Sequence, residues 1–227
     1  MKKFVIAIDG PAGSGKSTVA KLIASKLGFL YVDTGAMYRA LTLKALKENI
    51  PFDDEKKLID MARSTTINLG QEGEKYQVFL DGKDVSNEIR TEEVSKNSHY
   101  VSSILPIREI LWKAQKEYRK KHNIVMEGRD IGSKVFPDAQ LKIFLDASVK
   151  ERAKRRYLQL KEMGIKGDLK EIEKDISARD EKDKQRSIAP LVKLPEAIYI
   201  DTTNLSIPEV VDKILSLHPF PLPSGED

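Results

Sequence analysis

Residues Gly10-Pro11-Ala12-Gly13-Ser14-Gly15-Lys16-Ser17 stand between an apolar run, Phe4 to Ile8, and a segment with helical spacing. That segment carries apolar residues before a terminating glycine: Val19, Ala20, Ile23, Ala24, Leu27 and then Gly28. Strand, glycine-rich loop and helix in this order are typical of a phosphate-binding loop, since glycines let backbone N–H groups turn inward around phosphate oxygens. Lys16 and the helix N-terminus add positive charge, and the Ser17 hydroxyl can ligate Mg²⁺. The stretch from Gly10 to Thr18 is therefore predicted to bind a polyphosphate.

The composition restricts the class of protein. The chain has 227 residues and no cysteine, which excludes disulfide frameworks and thiolate metal sites and favours a cytoplasmic enzyme. This length accommodates one α/β domain with appendages. No run approaches the roughly twenty apolar residues that span a bilayer. Because the N-terminus already has the pattern of a strand, neither a membrane association nor a signal peptide is expected.

The net charge of +4 is unevenly distributed along the chain. The positive excess lies between Lys150 and Arg186, in one segment and not along an extended basic face. Such a distribution suits a few phosphate groups better than a polynucleotide. For most of these lysines a solvated helical surface is an equally simple explanation. We expect small phosphorylated ligands and no nucleic acid polymer.

Five short apolar runs each end in an acidic residue, which is typical of strands buried on both faces. They are Phe4 to Ile8 before Asp9, Phe29 to Val32 before Asp33, Ile124 to Met126 before Glu127, Leu141 to Leu145 before Asp146, and Ala197 to Ile200 before Asp201. Because helical patterns separate them, they predict an α/β fold of the P-loop NTPase type, a five-stranded parallel sheet flanked by helices. Ligands of such sheets bind beyond the carboxyl ends of the strands. The acidic residues there either cap the strand ends or serve a metal ion and its waters.

Residues 64–103 interrupt this alternation. Three short runs, Thr65 to Leu69, Tyr76 to Leu80 and Lys83 to Val85, predict a small antiparallel β insert, with Asp81-Gly82 as a turn. Near the end of the chain, a capping box from Ser206 to Glu209 starts the last core helix. The proline-rich tail, residues 218–227, is expected to fray.

A helical segment follows the fourth run. The pattern predicts a helix from Ser148 to Met163 that begins with a capping box, Ser148 to Glu151, and is followed by Gly164 and Gly167. A helix hinged at glycines could close over a bound donor, so residues 148–186 are predicted to form a helical lid. The next helix carries a stripe that turns from apolar to charged: Leu169, Ile172, Ile176, Arg179, Asp180 and Asp183. That helix either leaves the core for solvent or ends at a polar pocket.

Arginines distinguish between classes of P-loop protein. No asparagine is followed by lysine, so the guanine-reading Asn-Lys-x-Asp motif of a regulatory GTPase is absent. Arginines instead follow the second, third and fourth runs, and more stand downstream: Arg39, Arg129, Arg152, Arg155, Arg156, Arg179 and Arg186. Phosphoryl transfer between two nucleotides needs positive charge on donor and acceptor phosphates, and the bidentate guanidinium supplies it. As a set, these arginines predict a phosphotransferase.

Several motifs carry a family resemblance. They are Ile8 to Thr18, Asp33-Thr34-Gly35-Ala36-Met37-Tyr38-Arg39, Gly128-Arg129-Asp130-Ile131-Gly132, Val135 to Ala139, Lys142 to Ser148, Arg179-Asp180 with Asp183 and Arg186, and Ala189-Pro190-Leu191. The Gly-Arg-Asp and Ala-Pro-Leu elements are much more specific than the phosphate loop. From about Phe4 to Leu215 the chain resembles bacterial cytidylate kinases, and not adenylate or shikimate kinases. The β insert also resembles the one in the monophosphate-binding region of that family.

The resemblance implies an ATP-dependent, Mg²⁺-dependent conversion of CMP and dCMP to their diphosphates, without a covalent intermediate. It implies donor-phosphate and metal contacts for Lys16 and Ser17, and lid arginines at Arg152, Arg155 and Arg156. Residues assigned to the acceptor nucleotide are Arg39 and Arg129 for its phosphate, Arg108 and Asp130 for cytosine, Thr34 and Tyr38 nearby, and Arg179, Asp183 and Arg186 for ribose or phosphate. Lys16, Arg129 and the three lid arginines form the implied catalytic set.

Three positions depart from the family pattern. Glu127 stands where family members often have Asp, which keeps the negative charge but places it on a longer side chain. Lys134 adds a cation after Gly132-Ser133, and His99 stands where many members place a serine.

The sequence leaves alternatives open. One is a P-loop kinase of the same build that acts on another monophosphate or a metabolite alcohol, and another is an ATP-binding interaction protein without transfer chemistry. We expect one monomeric kinase domain over residues 1–227, with a monophosphate-binding region at about 34–113, its β insert at about 64–103 and the lid at about 148–186.

Overall fold

The structure is a computed structural model that describes residues 2–72, 75–162 and 164–217. It divides into two compact units. The first unit comprises residues 1–31 and 119–227, and the second comprises residues 32–118. The predicted acceptor region, about residues 34–113, falls within the second unit, whereas the phosphate loop and the predicted lid belong to the first. That the whole chain acts as one kinase domain stays a prediction.

The strands of the described residues follow the predicted runs. They are β1 (Val5–Asp9), β2 (Leu30–Asp33), β3 (Ile67–Glu72), β4 (Lys75–Leu80), β5 (Lys83–Asp84), β6 (Ile124–Gly128), β7 (Leu141–Asp146) and β8 (Ile198–Asp201). The α-helices are α1 (Lys16–Leu27), α2 (Thr34–Lys47), α3 (Glu55–Ser64), α4 (Glu92–Ser103), α5 (Leu105–Lys121), α6 (Val149–Glu162), α7 (Leu169–Gln185) and α8 (Ile207–Leu215). A 3₁₀ turn lies at Glu88–Arg90 and a π-helical turn at Ile131–Val135.

The phosphate-loop strand β1 lies at the centre of a five-stranded sheet with the order β2-β6-β1-β7-β8. It pairs in parallel with β6 and β7, and β7 pairs in parallel with β8. Every residue of β1 and β6 is buried, as expected for strands covered on both faces. The predicted P-loop-type α/β sheet is confirmed, and all five acid-terminated runs are its strands.

Helix α1 begins directly after the glycine-rich loop and ends at Gly28, which takes a left-handed conformation with φ 64°. Its buried face consists of Val19, Ala20, Ile23, Ala24 and Leu27, together with Lys16 at its first position. The predicted capping box of α8 is also present, with Ser206 and Glu209 bonded reciprocally.

The second unit contains the small antiparallel sheet, in the order β3-β4-β5. Ile67 pairs with Leu80 and Phe79 with Asp84, and Asp81-Gly82 turns the chain between β4 and β5 as predicted. The strands are confined to residues 67–84, so the β structure covers less than the predicted segment of residues 64–103.

Helix α4 occupies the end of that segment. The Thr91 hydroxyl caps it by accepting a hydrogen bond from the Val94 backbone N–H, and Val94, Ser98 and Val101 are buried on one face. This helical spacing and the N-cap favour helix over strand.

Helix α2 is buried on two sides within the second unit. Met37 and Leu41 pack with Leu58 and Ile107 in one apolar cluster. Its other face contributes Ala36, Ala40 and Leu43 to a cluster that includes Val78 and Ile89. The polar residues of α2 are therefore carried by a helix whose position is fixed by packing.

The predicted lid corresponds to α6 and α7. The Ser148 hydroxyl accepts a hydrogen bond from the Glu151 backbone N–H at 3.2 Å, while the Glu151 carboxylate accepts one from Arg155. The predicted helix end at Met163 lies outside the described residues, as does the tail at 218–227. Closure of these helices over a donor stays a prediction.

Candidate active site

The loop between β1 and α1 depends on its glycines. Gly10, with φ 153°, passes so close to β7 that a Cβ there would lie 1.9 Å from the Leu145 carbonyl oxygen. Gly13 and Gly15 also take positive φ angles, 78° and 90°, and a Cβ on Gly13 would approach Cβ of Arg152 to 3.1 Å. L-residues with side chains rarely adopt these angles. Only glycine therefore fits this path, as the motif predicted.

Lys16 is buried at the start of α1 and its side chain points back over the loop. The ammonium group donates hydrogen bonds to the Pro11 carbonyl at 2.6 Å and to the Ser14 hydroxyl at 3.5 Å. Burial, and next the charge of Arg129, lower the pKa of Lys16 to about 7, although Glu127 and Asp9 act in the opposite direction. The loop thus holds a desolvated cation at the helix N-terminus, where phosphates would gain most from it.

Ser17 connects the loop to the end of β6. Its hydroxyl donates to Glu127 Oε1 at 2.6 Å, and the buried phenol of Tyr31 on β2 donates to the same oxygen at 3.2 Å. Thr18, the next residue of α1, is exposed. Within the described ranges, no group of three or more His, Cys, Asp or Glu could hold a metal ion. A cation at this site would depend on the Ser17 and Glu127 oxygens together with ligand oxygens.

Asp9 ends β1 and caps the π-helical turn. Its carboxylate accepts hydrogen bonds from the backbone N–H groups of Ile131 and Gly132, at 2.9 and 2.8 Å. Burial raises the pKa of Asp9 to about 6, against the effect of these two hydrogen bonds. Asp130, at the start of the same turn, is also buried. The Asp9 carboxylate thus fixes the segment that carries Arg129 and Asp130.

Arg129 pairs with α7. Its Nε donates to Asp183 Oδ2 at 2.9 Å, and Arg186 lies 3.8 Å from the other oxygen of Asp183. Burial alone raises the pKa of the Asp183 carboxyl, but the charge and hydrogen bond of Arg129, together with the charges of Arg179 and Arg186, outweigh burial and the pKa falls below its usual value. Arg179, exposed on α7, acts through its charge on both Asp183 and Lys16. The predicted residues Arg129, Arg179, Asp183 and Arg186 therefore form one charged cluster with Lys16, and α7 does end at a polar site.

Arg152 forms a buried ion pair that was not predicted. Its guanidinium donates to both carboxylate oxygens of Asp180, at 3.1 and 2.6 Å, and also to the carbonyls of Ala147 and Ala12. Only 3% of Arg152 and 5% of Asp180 are exposed. Arg152 thus ties α6 and α7 to the phosphate loop. The sequence indicated only that Asp180 follows the buried Ile176 at helical spacing, and hence that a charge lies on the apolar face of α7.

The other two lid arginines lie nearer the surface. Arg155 donates to Glu151 at 3.0 Å and to the Thr202 hydroxyl and carbonyl at 3.1 and 2.6 Å. Thr202 in turn donates to the Ser14 carbonyl at 3.2 Å, so Arg155 is connected to the phosphate loop. Arg156 donates to Gln159 at 2.8 Å on α6 itself.

In the second unit, Arg39 is held beside the N-terminus of α2. Asp33 caps this helix by accepting from the Ala36 N–H at 2.8 Å, and its other oxygen accepts from Arg39 at 3.0 Å. Burial raises the pKa of Asp33, but Arg39 and the other donors outweigh it and the pKa is lowered. Thr34, the first residue of α2, is buried. Here the strand-end carboxylate positions a predicted phosphate ligand.

Arg108 on α5 is almost completely buried and lies over two aromatic rings. Its guanidinium carbon is 5.4 Å from the Tyr38 ring centroid and 5.5 Å from that of Trp112, and its Nη1 donates to the Ser102 carbonyl at 2.7 Å. Cation–π contact of this kind stabilises a guanidinium without neutralising it. Trp112 was not predicted, although it follows Arg108 by four residues and so shares its helix face.

The two remaining departures from the family pattern lie at the surface. His99 is exposed on α4, with Nδ1 2.8 Å from the Lys96 carbonyl and its ring centroid 3.9 Å from that of Tyr100. Lys134 is exposed in the π-helical turn, where its backbone N–H donates to the Asp130 carbonyl.

Comparison with known proteins identifies the relatives of this chain. A family model described as cytidylate kinase matches residues 6–219. Cytidylate kinase from Lactobacillus johnsonii is 53% identical over 212 residues, covering 93% of this chain and 92% of that protein. Cytidylate kinase from Alkaliphilus oremlandii is 53% identical over 217 residues, with 96% and 98% covered. A solved structure of an uncharacterized protein from Eubacterium ventriosum has a TM-score of 0.51 at 16% identity over 95% of this chain and 98% of that chain, which indicates a likeness of fold alone.

The buried Arg152–Asp180 pair predicts a large loss of stability for Asp180→Ala. Removing one partner leaves a desolvated guanidinium without its carboxylate, so we expect the free energy of unfolding to fall by about 3–5 kcal/mol. Urea denaturation, with the slope checked for constancy, measures this loss. Asp175→Ala, at an exposed position of the same helix, should change the free energy by less than about 0.5 kcal/mol. Equal effects of the two substitutions would show that Arg152 does not depend on Asp180.

Proposed function

This chain belongs to the cytidylate kinase family, and we propose that the charged cluster of its first unit and the arginines of its second perform the phosphoryl transfer. The enzyme transfers a phosphoryl group from ATP to CMP or dCMP. The observation that supports these residue roles is the buried, desolvated ammonium of Lys16 at the N-terminus of α1, which donates to the Pro11 carbonyl and the Ser14 hydroxyl of the glycine-rich loop. Such a site has the Lys16 amino group and backbone N–H donors in position before any phosphate arrives.

The phosphate loop is proposed to hold the donor. Backbone N–H groups between Gly10 and Thr18, where only Pro11 lacks one, bind the phosphate oxygens of ATP. The Lys16 ammonium moves from the Pro11 carbonyl to those oxygens. Exchange of a neutral carbonyl for charged oxygens strengthens the hydrogen bonds of the ammonium. The lysine then stabilises the charge that develops during transfer.

The oxygen donors at Ser17 fit a Mg²⁺ ion, which prefers hydroxyl, carboxylate, water and phosphate oxygens. The Ser17 hydroxyl would be a direct ligand of the Mg²⁺ ion. Glu127 would accept a hydrogen bond either from the Ser17 hydroxyl or from a water molecule bound to the metal. When bound, Mg²⁺ neutralises negative charge on the phosphates. Ser17 and Glu127 meanwhile fix where the donor phosphates lie relative to Lys16.

The arginines divide into two proposed roles. Arg129, Arg155, Arg156, Arg179 and Arg186 bind phosphate or ribose oxygens. Arg152 acts differently, because its guanidinium already has Asp180, Ala147 and Ala12 as partners. It positions α6 and α7 at the loop, and its effect on catalysis passes through the arginines that these helices carry.

Acceptor-binding roles are proposed for residues of each unit separately. In the second unit, Arg39 binds the acceptor phosphate, Arg108 donates to cytosine, and Tyr38 and Thr34 lie beside the nucleotide. In the first unit, Arg129 binds phosphate and Asp130 accepts from the cytosine amino group. An ionised carboxylate only accepts hydrogen bonds, so it matches an amino group and not the carbonyl of uracil.

No helix among the residues that the structure describes is long and apolar enough to span a membrane. Residence in the cytoplasm, a monomeric state and the absence of a nucleic acid partner stay predictions.

A coupled ADP-release assay with CMP, dCMP, UMP, AMP and shikimate tests the proposed function. We expect substantial ADP release only with the two cytidine nucleotides. Lys16→Met keeps the aliphatic stem but removes the charge, and it should lower kcat by about a hundredfold or more. Lys26→Met, at an exposed lysine of the same helix, is the control and should retain full activity. A Lys16→Met rate within a few-fold of the parent would remove this lysine from the mechanism.

Asp130→Asn tests base recognition. The parent should favour CMP over UMP by at least roughly tenfold in kcat/KM, because uracil leaves buried polar groups unpaired. Asparagine can also donate, so the variant should narrow that ratio. Asp212→Asn, at an exposed position, should leave it unchanged. If Asp130→Asn depresses both substrates alike, Asp130 serves the architecture and does not read the base.

The lowered pKa of Lys16 predicts proton uptake when ATP binds. With a pKa of about 7, most of the Lys16 population is neutral near pH 8 in the free enzyme, and the phosphates of ATP raise that pKa again. We expect uptake of most of one proton at that pH and progressively less as the pH falls below the pKa. Isothermal titration calorimetry in two buffers of different ionisation enthalpy measures the uptake. Lys16→Met should abolish it and Lys26→Met should not; persistence of the uptake in Lys16→Met would assign it to another group.

A further inference from the structure

Tyr31 has no role in the proposed mechanism, yet its hydroxyl contacts Glu127, the residue that accepts a hydrogen bond from Ser17 of the phosphate loop. It lies on β2, is 4% exposed, and donates to Glu127 Oε1 at 3.2 Å, the same oxygen that accepts from Ser17 at 2.6 Å. Glu127 is itself buried, with 5% exposed. One carboxylate oxygen therefore receives two donors, one from β2 and one from α1.

The position of Tyr31 is fixed independently of Glu127. The neighbouring Leu30 N–H donates to the Asn123 carbonyl at 2.9 Å, and the Asn123 side chain accepts from the Phe4 N–H at 2.9 Å. The Lys21 ammonium on α1 lies 5.6 Å from the centroid of the Tyr31 ring. The phenol is consequently a rigid donor, whereas Glu127 has one more rotatable bond than an aspartate would have.

The hydrogen bond to Glu127 determines the direction in which the Ser17 hydroxyl points. A serine hydroxyl has one proton and two lone pairs. Since its proton is donated to Glu127, its lone pairs point away from that carboxylate, as a metal ligand requires. If Glu127 changed rotamer, the hydroxyl proton would be free to turn and the lone pairs would lose this orientation.

We propose that Tyr31 is a positioning residue that holds the Glu127 carboxylate against Ser17, so that the Ser17 hydroxyl presents its lone pairs to the divalent cation bound with the donor phosphates. The proposal rests on the metal role given to Ser17 in the proposed function. It assigns Tyr31 an effect on cation affinity and none on the acceptor nucleotide.

Tyr31→Phe removes only the hydroxyl and retains the ring and its contact with Lys21. We expect the affinity for Mn²⁺ in the complex with ADP, measured from free Mn²⁺ by electron paramagnetic resonance, to fall by roughly tenfold, as for loss of a hydrogen bond to a charged group. The KM for CMP should stay unchanged, and kcat should recover at saturating Mg²⁺. Tyr199→Phe is a matched control, because this exposed phenol on β8 also donates to a strand-end carboxylate, Asp146, at 3.4 Å; its Mn²⁺ affinity should equal that of the parent.

Two further variants separate the proposal from its premise. In a Glu127→Ala background, which removes the shared acceptor oxygen, Tyr31→Phe should change Mn²⁺ affinity by less than about twofold, because Tyr31 acts through the Glu127 side chain. Ser17→Ala tests the metal role itself: unchanged Mn²⁺ affinity there would overturn the proposed metal site. If Ser17→Ala weakens Mn²⁺ binding and Tyr31→Phe does not, only the positioning role is overturned. A Tyr31→Phe protein that melts at a lower temperature with parental Mn²⁺ affinity would likewise show a purely structural role.

Discussion

Buried positive charge at the carboxyl edge of the sheet is the constraint on which the first unit depends. Lys16 and Arg152 are almost completely inaccessible, and removing ions from water costs several kcal/mol each unless partners compensate. The compensating groups come from separate elements: Asp9 and Glu127 from strand ends, and Asp180 and Asp183 from α7. Because Glu127 acts on Lys16, Asp180 pairs with Arg152 and Asp183 pairs with Arg129 across long stretches of sequence, charge compensation also fixes the phosphate loop, the π-helical turn and helices α6 and α7 relative to one another within this unit.

The neighbouring carboxylates do not fully compensate the burial of Lys16. The uncompensated part lowers the stability of the fold by an amount that depends on pH. A lysine whose pKa falls to about 7 in the fold destabilises the protein fully below that pH, and the cost is relieved as pH rises toward the unfolded value. Asp9, whose pKa rises to about 6, contributes no penalty at low pH and its full penalty above that value. Near neutral pH the free enzyme therefore bears both costs. Under the role proposed for Lys16, the donor phosphates relieve the larger cost, because they favour the charged form of that lysine.

Elements of the fold could be predicted from the sequence where their signal lies within a few neighbouring residues. The phosphate loop and the five strands of the parallel sheet were correctly predicted because glycines, apolar runs and helical spacing act over a few residues; burial on both faces was wrong for the edge strand β8, where Tyr199 is 45% exposed. The roles of the strand-end acids could not be predicted, since they depend on what lies opposite: Asp33 caps α2, Asp9 caps the π-helical turn, and Glu127 accepts from Ser17. Glu151 illustrates the same limit, because its carboxylate pairs with Arg155 instead of completing the predicted capping box. Arg152 was predicted as a lid arginine, but its ion pair with Asp180 spans 28 positions, and the charge after Ile176 did not reveal which residue pairs with it.

How an arginine is held decides whether it is available to a ligand. Arg152 is held by a bidentate carboxylate, which neutralises its charge and satisfies its donors. Arg108 lies over the rings of Tyr38 and Trp112, whose faces stabilise the cation but do not cancel its charge. Arg129 lies between these two cases, because Asp183 accepts from its Nε and its other nitrogens could still donate to a phosphate. Arginine thus serves as a structural tie at position 152, whereas the proposed base-reading role of Arg108 and the proposed phosphate-binding role of Arg129 depend on guanidinium groups that aromatic rings or a single carboxylate oxygen hold.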